Sequence, residues 1–448
     1  MKGTYSKIKK NPYRIFLYGF AAIILIGTIM LILPAASNDG KSVGFINALF
    51  TSASATCVTG LTVVNTSSHW STFGKSIIII LIQIGGLGVM SMTAMISFFL
   101  GKRISLRTRL LIMEERNVDE LHGVVRLTKN ILVFTFGLEF IGAMLFSIVF
   151  VKDFGVHKGI AYSLFHSISS FCNAGFDLMG NSMVNYADNP IITFAVCSLI
   201  VIGGIGYYVF WDLYDSKSFH KLTLHSKLVL IITGVLIISG FVLFFVLEYD
   251  NPGTLGKLNF YGKINASFFQ AINPRTAGFN SVPIENLRMS TMAISVIFMF
   301  VGGSPASTAG GIKTTTAGVL LISFYNLVRG REDVEIYEKR IVPELIIKAS
   351  AILVLALTFI VIISIILSVT EENLGYDFLE IVYETVSAFS TVGLSRGITP
   401  YLSNFGKIIM VMVMYVGRVG PMTVAYAFLK KTKNAGNYTY PEGKIIIG

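Results

Sequence analysis

Residues 56–61, TCVTGL, place Thr56, Cys57, Val58 and Thr59 directly before Gly60, and variants of this motif return three more times. They are FCNAGF, with Cys172, Asn173, Ala174 and Gly175; PRTAGF, with Arg275, Thr276, Ala277 and Gly278; and FSTVGL, with Ser390, Thr391, Val392 and Gly393. These residues share small size and a glycine, so the chemistry they offer belongs to the main chain. Glycine reaches positive φ without penalty and lets successive carbonyls point the same way. A ring of such carbonyls replaces the hydration shell of an alkali-metal cation without introducing full charge. A short helix ending at each motif adds the partial negative charge of its C-terminus. Four motifs around one axis form a cation site.

The motifs are evenly spaced. Gly60, Gly175, Gly278 and Gly393 lie 115, 103 and 115 residues apart, a period that marks an internal repeat. Ten positions before each glycine stands an aromatic ring, Phe50, Phe165, Phe268 or Tyr383. A second glycine cluster follows each motif, at Gly85-Gly86-Leu87-Gly88, Gly203-Gly204-Ile205-Gly206, Gly302-Gly303-Ser304-Pro305 and Gly417-Arg418-Val419-Gly420. Close packing of small residues between membrane helices is the rival explanation, and a single copy would favour it.

The elements that position these motifs follow from composition. The 448-residue chain is 53% hydrophobic and 14% charged, and breaks into apolar runs of roughly 20 residues, enough to cross a bilayer. The spacing predicts an all-α polytopic membrane protein of four pseudo-symmetric repeats around one central pore. Each repeat has an outer helix, a re-entrant pore helix with its filter loop, and an inner helix. Expected segments are 14–33, 43–55 and 74–100; 126–151, 158–170 and 189–211; 226–248, 261–272 and 288–328; 342–369, 375–388 and 401–429. The corresponding division is an N-terminal arm 1–13, repeats 14–100, 126–211, 226–328 and 342–429, linkers 101–125, 212–225 and 329–341, and a tail 430–448. The first apolar run competes with a signal peptide, but its length exceeds the usual 7–15 residues.

The net charge of +11 would suggest nucleic acid in a soluble chain. Here the basic residues gather in the linkers and the tail, where the positive-inside rule makes them cytoplasmic, with both termini on that side. No nucleic-acid partner is expected. The three cysteines describe no disulfide framework, and the six histidines show no metal-ligand spacing. An enzyme would need a nucleophile, acid–base set or metal site at membrane depth, and the sequence shows none.

Two features have the character of a gate. Residues 302–313, GGSPASTAGGIK, put Gly302, Gly303, Ser304, Thr308, Gly310, Gly311 and Lys313 inside a helix that is apolar on both sides. Glycine and proline break helices, so the released carbonyls and hydroxyls face the cavity, or the stretch is a plain kink or a linker. Arg418 occupies the position of Gly86, Gly204 and Gly303, deep in an apolar run. A guanidinium there faces a cavity, where it obstructs a cation, or pairs with a carboxylate such as Glu139. Arg275 either braces the filter loop through carbonyls or lies in a vestibule.

From about Ile15 to Leu429, the fourfold glycines and the broken third inner helix resemble the Trk/Ktr/HKT superfamily of cation transporters, most closely the membrane subunit of bacterial Ktr potassium uptake systems. The resemblance implies potassium uptake through a channel-like pore, with Gly60 favouring potassium. It also implies gating by the intramembrane loop and a pore arginine, a homodimer in the bacterial plasma membrane, and control by a cytoplasmic regulatory ring of nucleotide-binding subunits. Potassium is then the transported ion and sodium a modulator; a sodium-coupled potassium symporter of the same fold is the alternative.

Overall fold

The computed structural model describes residues 12–88, 91, 95, 124–331 and 333–428. Most of the N-terminal arm, most of the first linker, most of the end of the first inner helix and the tail therefore lie outside the described residues. Sixteen α-helices are present among the described residues, with one two-stranded hairpin, β1 (Glu335–Ile336) and β2 (Lys339–Arg340).

Repeat one comprises α1 (Pro12–Ile32), α2 (Phe45–Thr56), the single turn α3 (Thr66–His69) and α4 (Thr72–Leu87). Repeat two has α5 (Val124–Phe154), α6 (Val156–Phe171), α7 (Pro190–Ile205) and α8 (Tyr207–Ser216). Repeat three has α9 (Leu224–Glu248), α10 (Phe260–Ile272), α11 (Met289–Phe300) and α12 (Thr314–Val328). Repeat four has α13 (Pro343–Thr370), α14 (Phe378–Phe389), α15 (Asn404–Val419) and α16 (Pro421–Phe428).

The four helices long and apolar enough to cross a membrane unaided are the outer ones, α1, α5, α9 and α13. The pore helices α2, α6, α10 and α14 are too short for that. Their starts are set by local chemistry: Asn259 caps α10 through Gly262 N, and Asp377 and Glu380 form a capping box on α14. Inner helices begin the same way, with Ser71, Asn189 and Ser403 accepting from the first turns of α4, α7 and α15. Each pore helix packs on the inner helix of the preceding repeat: α6 on α4, α10 on α7, α14 on α11, and α2 on α15. That pairing closes the four repeats into a ring.

Two inner helices differ from the expectation. The runs 189–211 and 401–429 read as continuous spans, yet α7–α8 and α15–α16 each bend by 93°. The bends fall on Gly206 and Gly420, at φ 97° and 93°, and α4 ends at the equivalent Gly88, at φ 87°. Residues with a Cβ rarely adopt this backbone, so the last glycine of each cluster terminates the inner helix. The third repeat has Pro305 at that position and has already left the helix at Phe300.

Candidate functional site: a filter ring and the loop beneath it

The pore helices deliver the filter segments as buried stretches of chain, with Gly60 partly exposed. Three of them press their last carbonyl against the repeat's own inner helix: a Cβ on Gly85, Gly203 or Gly417 would collide with the Thr56, Phe171 or Phe389 carbonyl. The second glycine clusters therefore have two jobs, clearing space for the pore helix and ending the inner helix.

The filter backbone has the same form in all four repeats. Gly60, Gly175, Gly278 and Gly393 take φ of 93°, 69°, 73° and 89°. Two residues earlier Val58, Asn173, Thr276 and Thr391 are also left-handed, at 57°, 59°, 63° and 52°. A non-glycine residue pays about 1–2 kcal/mol for this conformation, and four repeats retain it at one position. Strain kept in this way is over-determined by its surroundings and clusters at functional sites. Left-handed residues alternating with ordinary ones turn the intervening carbonyls to one side of the chain.

The segments meet edge to edge in chain order. A Cβ built on Gly60 would lie 2.5 Å from the Ala174 carbonyl, on Gly175 2.7 Å from Gly278 Cα, and on Gly278 2.6 Å from the Val392 carbonyl. On Gly393 it would overlap the Thr59 carbonyl, which closes the circle. The hydroxyls of Thr56, Thr59, Ser390 and Thr391 are buried in this ring with no hydrogen-bond partner among the described residues, so oxygen donors besides the carbonyls are at hand. Cys57 and Cys172 are fully buried three positions before their glycines, and Cys172 packs against Gly86 of the neighbouring repeat.

Some of what braces the ring was invisible as a motif. Ser54 Oγ accepts from Gly60 N and Ser387 Oγ from Gly393 N, each at 3.1 Å, while Ser169 Oγ donates to the Phe176 carbonyl at 2.8 Å. All three serines stand six residues before a filter glycine, an offset the sequence does display; Ile272 takes the place in repeat three. That repeat also departs at the aromatic position, since Phe268 is 40% exposed whereas Phe50, Phe165 and Tyr383 are buried. Phe269, one residue later, is the buried ring. Ala277 N bonds to Asn273 O, four residues back, where Thr59, Ala174 and Val392 reach five back. The third pore helix thus joins its filter one residue out of register with the others.

Arg275 fits neither expectation. It is 4% exposed, so it does not lie in an open vestibule, and its Nη1 and Nη2 make no hydrogen bond among the described residues. His166 is a pore-helix residue whose Nδ1 meets the Tyr162 carbonyl at 2.7 Å and whose Nε2 meets Leu178 N at 3.2 Å. Among the described residues no group of three His, Cys, Asp or Glu could hold a metal.

The chain between α11 and α12 forms a loop packed against the filter segments of repeats two and four. Ser304 N donates to Gly204 O and Thr308 N to Gly203 O, at 3.0 and 3.2 Å, so the loop leans on the inner helix of repeat two. Thr308 Oγ1 reaches the Phe171 carbonyl, and Gly302 N donates back to Ile312 O within the loop. Gly310 and Gly311 lie against Thr391 and Ser390 of the fourth filter, and a Cβ on Gly310 would strike the Thr391 side chain. Lys313 Nζ donates to Ala309 O at 2.7 Å.

Arg418 ties this loop to the opposite wall. Its Nη1 donates to Thr308 O, and its Nη2 donates to Gly85 O of the first inner helix at 2.5 Å. Glu139 accepts from Gln83 Nε2 at 2.9 Å and stands beside Cys172. The loop and the arginine come together under the filter, while Glu139 belongs to the packing behind it.

A family model described as "Cation transport protein", TrkH, matches residues 5–439. The chain is 41% identical over 444 residues to the Ktr system potassium uptake protein B of Bacillus subtilis, covering 98% of each chain. It is 40% identical over 442 residues to the potassium/sodium uptake protein NtpJ of Enterococcus hirae, covering 98% of this chain and 97% of that one. The crystal structure of the potassium transporter TrkH from Vibrio parahaemolyticus shares the fold at a TM-score of 0.75 and 17% identity, over 95% of this chain and 86% of that one.

Proposed function

The chain belongs to the TrkH family of cation transport proteins, and from that membership we propose that it is the membrane-embedded subunit of a potassium uptake system with a channel-like pore. The observation that carries this reading is the fourfold pair of left-handed residues at and two before each filter glycine. A potassium ion entering the ring exchanges its water shell for backbone carbonyls, with hydroxyls such as that of Thr59 close by. The family is one of transporters rather than enzymes.

In our reading the loop 302–313 is the gate and Arg418 its latch. The loop crosses the axis below the ring, and the arginine fixes its midpoint while presenting positive charge to an arriving cation. Opening then consists of breaking the contact of Arg418 with Thr308 O and withdrawing the loop toward α12. Control falls to a cytoplasmic ring of nucleotide-binding subunits, and the working form is a homodimer in the bacterial plasma membrane with both termini cytoplasmic. The Ktr-system names of the relatives and the basic linkers support these assignments, and we keep the repeat boundaries given above.

The test is uptake of potassium and sodium into liposomes containing the purified protein, with Gly60→Ser in parallel. Potassium flux that outpaces sodium, and loses that preference in the variant, is the expected result; equal preference in both would refute the filter assignment. A second reading, sodium-coupled potassium symport with sodium more than a modulator, is favoured by the 40% identity to a protein named for both ions. It requires potassium uptake to follow an imposed sodium gradient.

A further inference from the structure

We propose that the cavity beneath the gate loop binds an anionic phospholipid, with the headgroup phosphate at the cytoplasmic mouth of the pathway. The proposal rests on the cation-pathway reading above. The cavity measures about 770 Å³ and runs from the gate loop and Arg418 to the start of α13 and the β1–β2 hairpin.

Its charge is the first argument. Lys313, Arg340, Lys348 and Arg418 line it, with no carboxylate among the described lining residues. Lys313 and Arg418 donate to main-chain carbonyls. Arg340 is held by Asp333 at 2.8 Å, and Lys348 has no hydrogen-bond or ion-pair partner among the described residues. A potassium ion leaving the filter therefore meets basic side chains and no carboxylate among the described lining residues. A cation pathway needs a counter-charge there, and a phosphate provides one.

The second argument decides between a lipid and a soluble anion. The remaining walls are largely apolar, including Phe16 and Phe20 of α1 and Val319 of α12. Val342 and Leu345 line the cavity and are 49% and 52% exposed, at the first turn of a helix long enough to cross the membrane. The cavity thus borders the exposed start of a helix long enough to span the membrane, and basic pockets between membrane helices take anionic headgroups. An acyl chain has an apolar course along α13; inorganic phosphate would gain nothing from it.

The experiment uses the full chain, delipidated in detergent and titrated with phosphatidylglycerol or phosphatidylcholine under native mass spectrometry. Wild type should bind phosphatidylglycerol in preference. Lys348→Gln should weaken that binding about five-fold, the equivalent of about 1 kcal/mol for one basic residue near an anionic surface, and Lys348→Arg should restore it. In liposomes, phosphatidylglycerol should raise wild-type potassium flux several-fold and leave Lys348→Gln unmoved. Equal phosphatidylglycerol binding by wild type and Lys348→Gln overturns the proposal, as does millimolar inorganic phosphate stimulating flux in phosphatidylcholine liposomes as strongly as the lipid does. Lys348-dependent lipid binding in a protein that conducts under no condition would uphold the site and refute the transport reading.

Discussion

Removing Arg418 is the most direct test of the proposed gate. Arg418 makes two charge-assisted hydrogen bonds, of which the one to Thr308 O holds the loop and the one to Gly85 O reaches the first inner helix. Bonds to a charged group contribute about 1.5–3 kcal/mol each. In the proposed open state water solvates the freed guanidinium, so the lower figure applies, and the Thr308 bond favours the closed loop by about 1.5 kcal/mol. At about 1.4 kcal/mol per tenfold, Arg418→Ala should shift the loop equilibrium toward open by about tenfold. If the wild-type loop is open about 1% of the time, the variant is open about a tenth of the time, and flux rises about tenfold. Arg418→Lys separates latch from charge, because one ammonium keeps the charge but cannot span the Thr308 and Gly85 carbonyls, and should leave a leak between those of wild type and Arg418→Ala. The assay is potassium efflux from liposomes at matched protein content, with monodispersity checked by size-exclusion chromatography. Arg418→Ala that is monodisperse and conducts like wild type would refute the latch. Arg418→Lys as tight as wild type would place the block in the charge itself.

Other substitutions test the ring and the loop. Gly393→Ala adds a Cβ that overlaps the Thr59 carbonyl at φ 89°, so it should lower the melting temperature and abolish selective flux; an unaltered potassium preference would contradict the ring. Ser387→Ala removes the acceptor for Gly393 N and should cost about 1 kcal/mol, seen as partial loss of selectivity, with Ser54→Ala behaving alike. Gly310→Val drives a side chain into Thr391, which should push the loop off the filter and raise leak in the same efflux assay. Arg275→Met takes away a buried guanidinium whose Nη atoms lack partners among the described residues and should raise thermal stability by at least about 1 kcal/mol; a fall in stability would mean the charge is compensated.

Much of this was legible because it is repeated. The period of the glycine motifs gave the fourfold plan, and the glycine and proline content of 302–313 gave the break between α11 and α12. Two things hid in plain residues. Gly206 and Gly420 were visible as members of packing clusters, but nothing in GGIG or GRVG says that the last glycine turns the chain by 93°, because that depends on where the inner helix must stop to admit the loop. The serines six before three of the filter glycines look like ordinary small pore-helix residues until the main chain folds back within reach of their hydroxyls. Arg418 was conspicuous as a charge at membrane depth, yet its partners are carbonyls from other repeats, which no spacing along the chain encodes.

The third repeat departs from the other three in several linked ways. Its pore helix joins the filter one residue out of register, it has Ile272 where the others have a bracing serine, it buries Arg275 beside the filter, and its inner helix is the one that opens into a loop. A four-sided carbonyl ring needs near-equal contributions from every side, and the shared left-handed positions supply them. A gate has the opposite requirement, since one element must cross the axis and only one can fit. In our reading, placing the irregularities in a single repeat meets both demands, because the filter keeps its symmetry at the backbone while the departures that a gate needs are confined to one side. The contacts of the loop follow from this: it leans on the inner helix of repeat two and the filter of repeat four, its neighbours in the ring, and it accepts a hydrogen bond from an arginine of repeat four whose other hydrogen bond reaches repeat one. Repeats two and four thus touch the loop directly and repeat one reaches it through Arg418, so in our reading a displacement of any of these inner helices is felt at the proposed gate.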